Sequence, residues 1–205
     1  MPRVSRAETE RNRIAIEEAS SRLFREQGLR VSVADLMGAV GLTHGGFYGH
    51  FASKDDLAAI ACAKAFGDSV GRWHKRMAGT RDHASAHAEL IEGYLLSQNL
   101  SAVGTGCPLA ALATDVSREP EDKPVRQAFL QGLEQLVAIL AGELRDTDTV
   151  TARETALAEI STMVGALVLA RATKGHDLSG EIMASAKRHL LADDLRAQAS
   201  PNAMP

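Results

Sequence analysis

Apolar residues recur along this chain at helical spacing, and stretches that alternate apolar with polar are hard to find. The β-branched run LRVSV at 29–33 is too short to found a sheet. In the first segment Ile16, Ala19, Leu23, Phe24 and Gln27 share one face, Glu18, Arg22 and Arg25 face away, and Gly28 supplies the stop. That spacing predicts a helix of about four turns. Ser32 then offers an N-cap oxygen, Leu36 and Val40 form the apolar face of a short helix over 33–40, and Gly41 provides the positive φ that ends it. After residue 52, Ser53 serves as N-cap and Asp55 and Asp56 lie in the first turn of a long helix, where the helix dipole favours carboxylates. Further helices are predicted over about 83–100, 108–117, 122–145, 149–173 and 179–197, joined by GTGCP, REPED, RDTD and KGHDLSG. The tail ASPNAMP reads as disordered, and the fold class is all-α.

The stretch GLTHGGFYGHF at 41–51 departs from this regularity. Gly45, Gly46 and Gly49 each weaken a helix by about 1 kcal/mol relative to Ala, yet Phe47 and Phe51 stand four apart, as two side chains on one helical face do. Two short helices, 33–40 and 43–50, turning at Gly41 and preceded by a longer helix, make a helix-turn-helix arrangement. The second helix of such a unit lies in the DNA major groove. Thr43 caps it, and Gly45 and Gly46 let the backbone approach base edges and phosphates. Packing of Phe47 and Phe51 on the first two helices offsets the lost propensity. Tyr48 carries a hydroxyl on another face that can donate to a phosphate, and Lys54 places a cation beside the flanking backbone. His44 and the exposed edge of the glycine pair are the candidates for base contact, while Ser32 and the amides from Val33 onward can hold a phosphate at a helix N-terminus. The competing reading makes HGG a loop and the aromatics plain core.

Composition narrows the choice. With 45% hydrophobic and 24% charged residues over 205 positions, the chain suits a soluble globular protein of one or two domains. The formal charge is -3, but residues 1–54 hold eight basic against six acidic side chains, so the acidic surplus lies in the remainder. That distribution permits a polyanion-binding N-terminal module on an acidic body. No apolar run opens the chain, and the run Ile160–Ala170 is far short of the roughly 20 residues that cross a bilayer. Cys62 and Cys107 are too few for a disulfide framework and have no metal-ligand spacing, so a reducing cytoplasmic compartment and no membrane partner are expected. His44 and His50 stand six apart, and the i, i+4 pair His83 and His87 lacks the Glu of a HExxH site. Gly104-Thr105-Gly106 lacks the lysine of a phosphate loop, and no Ser/His/Asp arrangement has a local signature. Neither a metal, a cofactor nor an enzymatic activity is expected.

From Arg13 to Leu57, the residues Ile16, Phe24, Gly28, Ser32, Leu36, Gly41, Leu42, Thr43, Gly45, Phe47, Tyr48, Phe51, Ser53 and Lys54 stand at the spacing of a known motif. The segment resembles the DNA-binding domain of the TetR/AcrR family of bacterial transcriptional regulators. The resemblance implies a three-helix DNA-binding domain at 1–52, an all-helical effector-binding and dimerisation domain at 53–205, and a homodimer that represses until a small molecule binds. Thr43, His44, Gly45 and Tyr48 fall on the family's recognition helix, His50 lies at its end, and Lys54 matches a phosphate-contacting lysine. The family more often has Ala in place of Gly38 and a larger residue in place of Gly46 or Gly49. Base discrimination is therefore expected to lean on His44, Arg30 and DNA shape. The string GCPLAALATDV at 106–116 resembles a subset of the same family.

The second domain is expected to hold a small, largely apolar effector among Phe66, Trp73, Met77, Tyr94 and Phe129, with His87 and Gln98 as polar contacts. The same residues could equally be core. Cys107, between Gly106 and Pro108 at a helix start, is either a reactive sensor thiol, since helix N-terminal amides favour a thiolate, or a small residue filling a gap. Leu157, Ile160, Met163, Val164, Leu167, Val168 and Ala170 make the penultimate helix apolar on more than one face. Packing against its copy and against Ile182, Ala186 and Leu190 of a second subunit would bury the surplus as a four-helix bundle. The competing function is a helical small-molecule-binding or enzymatic protein whose helix-turn-helix is only structural. Salt-sensitive retention on duplex DNA separates the two.

Overall fold

The computed structural model describes residues 5–144 and 148–192. Among them the order is α1 (Arg6–Gln27), α2 (Val33–Gly38), α3 (Lys54–Met77), α4 (His83–Tyr94), α5 (Pro108–Arg118), α6 (Pro124–Gly142), α7 (Thr149–Ala172) and α8 (Asp177–Leu190). Two 3₁₀ segments, His44–Gly49 and Ser97–Leu100, complete the list, and no strand occurs among the described residues. The chain is all-helical, as the periodicity requires.

Local chemistry sets the boundaries. Ser5 Oγ accepts from the Glu8 amide to open α1, and Gly28, at φ 83°, closes it by donating to the Phe24 carbonyl. The helix expected over 83–100 divides in two. The side-chain amide of Asn99 donates to the carbonyls of Gly93 and Tyr94 at 2.9 and 2.8 Å, which satisfies the C-terminal end of α4 and stops it there. Pro124 starts α6 two residues later than expected, because a ring that lacks the N–H and fixes φ suits the first helical position. The last helix starts earlier than expected, at Asp177, since His176 Nδ1 accepts from the Leu178 amide at 3.1 Å. Residues 145–147 of the RDTD loop, the end of the expected last helix from 193, and the ASPNAMP tail lie outside the described residues.

Two compact units form, Met1–Ser69 with Val103–Leu133, and Val70–Ala102 with Glu134–Pro205. The division cuts α3 and α6, and so follows packing rather than the separation of roles expected at 52/53. In the first unit Ile16, Phe24, Leu36, Phe47, Leu57 and Phe66 are buried to 1% or less. Phe66 meets Phe129 edge to face at 5.4 Å and lies flush on Gly132, where an added Cβ would fall 2.1 Å from the Phe66 ring. Helix propensity favours Gly132→Ala by about 1 kcal/mol, but forcing a buried ring aside costs about 1–3 kcal/mol. The substitution is therefore expected to lower stability, read as an earlier urea midpoint. A later midpoint would mean that Phe66 relaxes freely.

Cys62, 1% exposed, lies in the same core, and burial pushes its thiol up to about 12 against a lowering influence from Arg25. Because the unfolded thiol ionises near its ordinary value of 9.0 and the folded one does not, the unfolded state loses protons first. Stability supported by this group is intact below pH 9 and falls by about 1.4 kcal/mol for each further pH step towards 12. Cys62→Ala should flatten the alkaline limb of a stability–pH profile. An unaltered limb would refute the assignment.

In the second unit α7 packs along α8, where buried Ser179 donates through Oγ to the Ala170 carbonyl at 2.8 Å. Arg171 Nη2 donates to the Asn99 carbonyl at 2.9 Å, tying α7 to the second 3₁₀ segment. The run Ile160–Ala170 is part of a longer apolar helix than its own length implied. Over 18 residues of α7 the mean hydropathy is 1.4, which by length and composition alone would suit a membrane span, although core helices of soluble proteins reach the same values. Its apolar residues occupy two faces. Ala156, Ile160, Met163, Leu167 and Ala170 are buried, whereas Leu157, Val168 and Leu169 are 39%, 43% and 57% exposed.

Candidate DNA-binding interface

Ser32 opens α2 by accepting from the Asp35 amide at 3.1 Å, and its hydroxyl donates to the Asp35 carboxylate at 2.6 Å. The hydroxyl is thereby engaged within its own chain, and what Ser32 and half-buried Val33 offer a phosphate is backbone. Leu36 and Met37 are fully buried. The chain turns at Gly41, φ 71°, with the Leu42 amide donating to the Met37 carbonyl.

The next segment differs from the expected α-helix. His44–Gly49 is a 3₁₀ helix, with the Gly46 amide donating to the Thr43 carbonyl and the His50 amide to the Phe47 carbonyl. Three glycines in six residues remove the propensity that would lengthen and relax it into α geometry, and 3₁₀ turns serve in short pieces of this kind. Thr43 stands at the N-cap position but makes no side-chain cap bond, so its expected capping role is corrected to that of a backbone acceptor.

Phe47 anchors the segment. It is fully buried, 5.7 Å from the Phe51 ring and 5.2 Å from the Tyr48 ring, which it meets edge to face. Tyr48 stands 69% exposed beside His44, their rings 6.5 Å apart. Thr43, His44, Gly45, Gly46, Tyr48 and Gly49 are all exposed, so one face of the segment is open while Phe47 holds the other. A Cβ at Gly45 or Gly49 would meet nothing within 4 Å, and one at Gly46 would touch only Met37 and Thr43 at ordinary separations. The glycines therefore leave the outer surface low instead of relieving an internal clash.

His50 is half-buried, with Nδ1 out of solvent and no hydrogen-bond partner. Its carbonyl accepts from Arg13 Nη1 at 2.9 Å. Arg13 also lies over the Phe51 ring at 5.0 Å and pairs with Glu17 at 3.0 Å. The sequence pattern assigned Arg13 no role. Here it braces the end of the 3₁₀ segment, and the only cue was its position one turn before Glu17 on α1. Lys54 opens α3, where Ser53 Oγ accepts from the Asp56 amide at 3.0 Å, and Arg30, two residues before Ser32, is exposed.

The expected effector residues are distributed over both units. Phe66, Cys107 and Phe129 belong to the first, with Phe66 buried and Cys107 and Phe129 half-buried. Cys107 stands at the N-cap position of α5 without a side-chain cap bond. A groove of about 470 Å³ between α5 and α6 is lined by Val116, Arg126, Phe129, Leu130 and Leu133 among others. Of the expected residues it includes Phe129. Trp73, His87 and Tyr94 are buried in the second unit, Met77 is half-buried and Gln98 is exposed. His87 Nε2 meets Glu159 Oε2 at 2.8 Å in the core, and His83 Nδ1 meets Glu143 at 2.9 Å. The two histidines of the i, i+4 pair thus face different carboxylates. Among the described residues no cluster of three His, Cys, Asp or Glu side chains is placed to hold a metal.

Known proteins share this arrangement. Residues 16–60 match the model of bacterial regulatory proteins of the tetR family, and residues 82–178 match the model of the C-terminal domain of LmrA/YxaF-like transcriptional regulators. No curated protein matches the chain. Among solved structures, a TetR-family regulator from Cytophaga hutchinsonii aligns over 94% of this chain and 98% of its own with TM-score 0.75 and 22% identity. A TetR regulator from Chloroflexus aurantiacus aligns over 91% and 95% with TM-score 0.74 and 23% identity. The reduced form of NemR from E. coli aligns over 88% and 95% with TM-score 0.73 and 18% identity. These structures share the fold, and the two family models together span more than half of the sequence: the chain belongs to the TetR family of bacterial transcriptional regulators.

Proposed function

We propose that the protein is a repressor that binds a palindromic DNA operator as a homodimer in the cytoplasm and leaves it when a small effector binds. Family membership makes it a DNA-binding transcriptional regulator rather than an enzyme. Residues 1–52 are assigned the DNA contact and 53–205 effector binding and dimerisation. One observation carries the reading: an exposed His44–Tyr48 face on a glycine-rich segment whose opposite side is anchored by buried Phe47. A segment held so firmly from behind and left so low in front suits close approach to a duplex. Tyr48 and Lys54 serve phosphates, the backbone after Ser32 and Val33 another, and His44 with the edges of Thr43 and Gly45 the bases, while His50 ends the segment. The effector is assigned as small and largely apolar; of the residues expected to meet it, Phe129 lines the groove between α5 and α6, whereas His87 is engaged by Glu159.

Duplexes selected by the wild-type protein from a random library test this. Half-site centres should lie about 34 Å apart, one helical turn, or a multiple of it. Tyr48→Ala and Lys54→Ala should weaken binding to every sequence, with Lys54→Ala, which removes a charge, also reducing the salt slope by about one, whereas His44→Ala should change the preferred bases. Unchanged affinity in folded Tyr48→Ala would remove this surface from the DNA contact. For the effector side, release of such a duplex by a thiol-directed electrophile is compared in wild type, Cys62→Ser and Cys107→Ser; release that persists in Cys107→Ser excludes Cys107 as the sensor.

A further inference from the structure

Arg25 lies in the last turn of α1 and is 5% exposed, an unusual place for a guanidinium. Its Nε donates to the Ser21 carbonyl at 3.0 Å and its Nη2 to Ser21 Oγ at 3.3 Å. Its Nη1 reaches 81 residues along the chain to the Gly106 carbonyl at 3.0 Å. Two further contacts lock the same end of α1. A Cβ on Gly104 would fall 2.2 Å from Glu26 Oε1 and 2.7 Å from Arg22 Cγ, so the backbone before α5 lies directly on α1. A Cβ on Gly28 would fall 2.7 Å from Asp115 Oδ2, which brings the end of α1 against the body of α5.

The other half of α1 holds the DNA-binding segment, through Arg13 on the His50 carbonyl and the Phe51 ring. Arg13 and Arg25 lie on one continuous helix, about 18 Å apart at 1.5 Å per residue. Such a rod transmits a displacement of one end to the other. The planar fork of a guanidinium suits a joint of this kind, since it satisfies an α1 carbonyl and a carbonyl from another segment at once in fixed geometry. A lysine ammonium is a flexible point charge and does not.

We infer that Arg25 is a positioning residue that couples the Gly104–Cys107 segment leading into α5 to the DNA-binding helices, so that movement of this segment changes operator affinity through α1. The inference rests on the reading of residues 32–54 as the DNA surface. Its regulatory consequence is that an effector, or a change at Cys107, acts on DNA binding when it shifts the Gly106 carbonyl. The coupling is reciprocal, so bound DNA in turn favours the arrangement in which Arg25 holds the Gly106 carbonyl.

The test uses full-length protein and the duplex selected by the wild type. Arg25→Lys keeps the charge but loses the fork, Arg25→Met removes the charge, and Gly104→Ala adds one methyl to the seat. Thermal unfolding identifies variants that fold. If Arg25→Met does not, Arg25→Lys and Gly104→Ala decide. Binding should weaken by about ten-fold or more while the salt slope stays at its wild-type value, since no phosphate contact is removed. Amide hydrogen exchange at 104–107 should slow when wild type binds the duplex, and this slowing should vanish in Arg25→Lys. A merely structural Arg25 would not move that remote signal. Binding within two-fold of wild type in every variant that folds, or wild-type exchange at 104–107 that ignores DNA, overturns the joint and leaves the DNA-binding reading standing. A wild type that retains no duplex even at low salt overturns both.

Discussion

Phe47→Ala is expected to cost about 3–5 kcal/mol, the usual range for truncating a buried phenylalanine, and to abolish operator binding at temperatures where the rest of the chain stays helical. Phe47 is fully buried and touches both neighbouring aromatic rings. Its segment has little else to keep it folded, with six residues, three of them glycine, in 3₁₀ geometry without a side-chain cap. A helix that short has negligible stability of its own, so its position depends on tertiary burial. Loss of the ring should free Tyr48 and His44 together. The measurement is amide exchange over 43–51 alongside duplex binding at several temperatures. Retained binding with wild-type protection at 43–51 would show that the glycines, not Phe47, define the segment. Loss of helicity throughout the chain at low temperature would show that the unit does not loosen locally.

Val168→Asp is expected to convert a dimer into a monomer at micromolar concentration and to weaken binding to a two-half-site duplex by about 10²–10⁴-fold, the avidity lost when two linked contacts become one. Val168 is 43% exposed and shares a stripe with exposed Leu157 and Ser161 and half-buried Val164 and Gly165, at helical spacing along α7. The adjoining stripe, through Ile160, Met163 and Leu167, is occupied by the chain's own core. A carboxylate on the uncovered stripe leaves the fold intact and is repelled by its own copy across a two-fold axis, where each residue faces the same patch. Of the residues assigned to the partner-facing surface on α8, Ile182 and Ala186 are half-buried and Leu190 is buried in the chain itself. Val168 and Leu157 are thus the sharper probes. Sedimentation of the wild type as a monomer, or of Val168→Asp as an unchanged dimer, would move the interface elsewhere or remove it.

The helices were legible because their signals are local. Ser32 and Ser53 cap and Gly28 and Gly41 carry positive φ, each by chemistry confined to a few residues, while the Ser5 cap and the start of α6 at Pro124 were read only from the structure. The break between α4 and the second 3₁₀ segment was not legible, since Leu95 and Leu96 read as continuing helix and the Asn99 amide that ends it gives no sign in a hydropathy pattern. Nor did the pattern identify Thr43 as a bare N-cap, because a threonine before a helix looks the same whether or not its hydroxyl turns inward.

By itself the sequence determined an all-helical chain, the place of the glycine-rich second segment of a helix-turn-helix within 41–51, and the two-faced apolar character of α7, because periodicity, caps and glycine conformations are properties of near neighbours along a chain. Only the tertiary structure decided that the segment is 3₁₀, that Arg13 braces His50 and Phe51, that Arg25 reaches Gly106, and that His87 faces Glu159. Arg25 and Gly106 are 81 residues apart, and His87 and Glu159 are 72 apart. Such pairings arise from the packing of whole helices, which brings a charge or a carbonyl to a partner that no local pattern specifies, and in a low-dielectric core the partner then becomes obligatory.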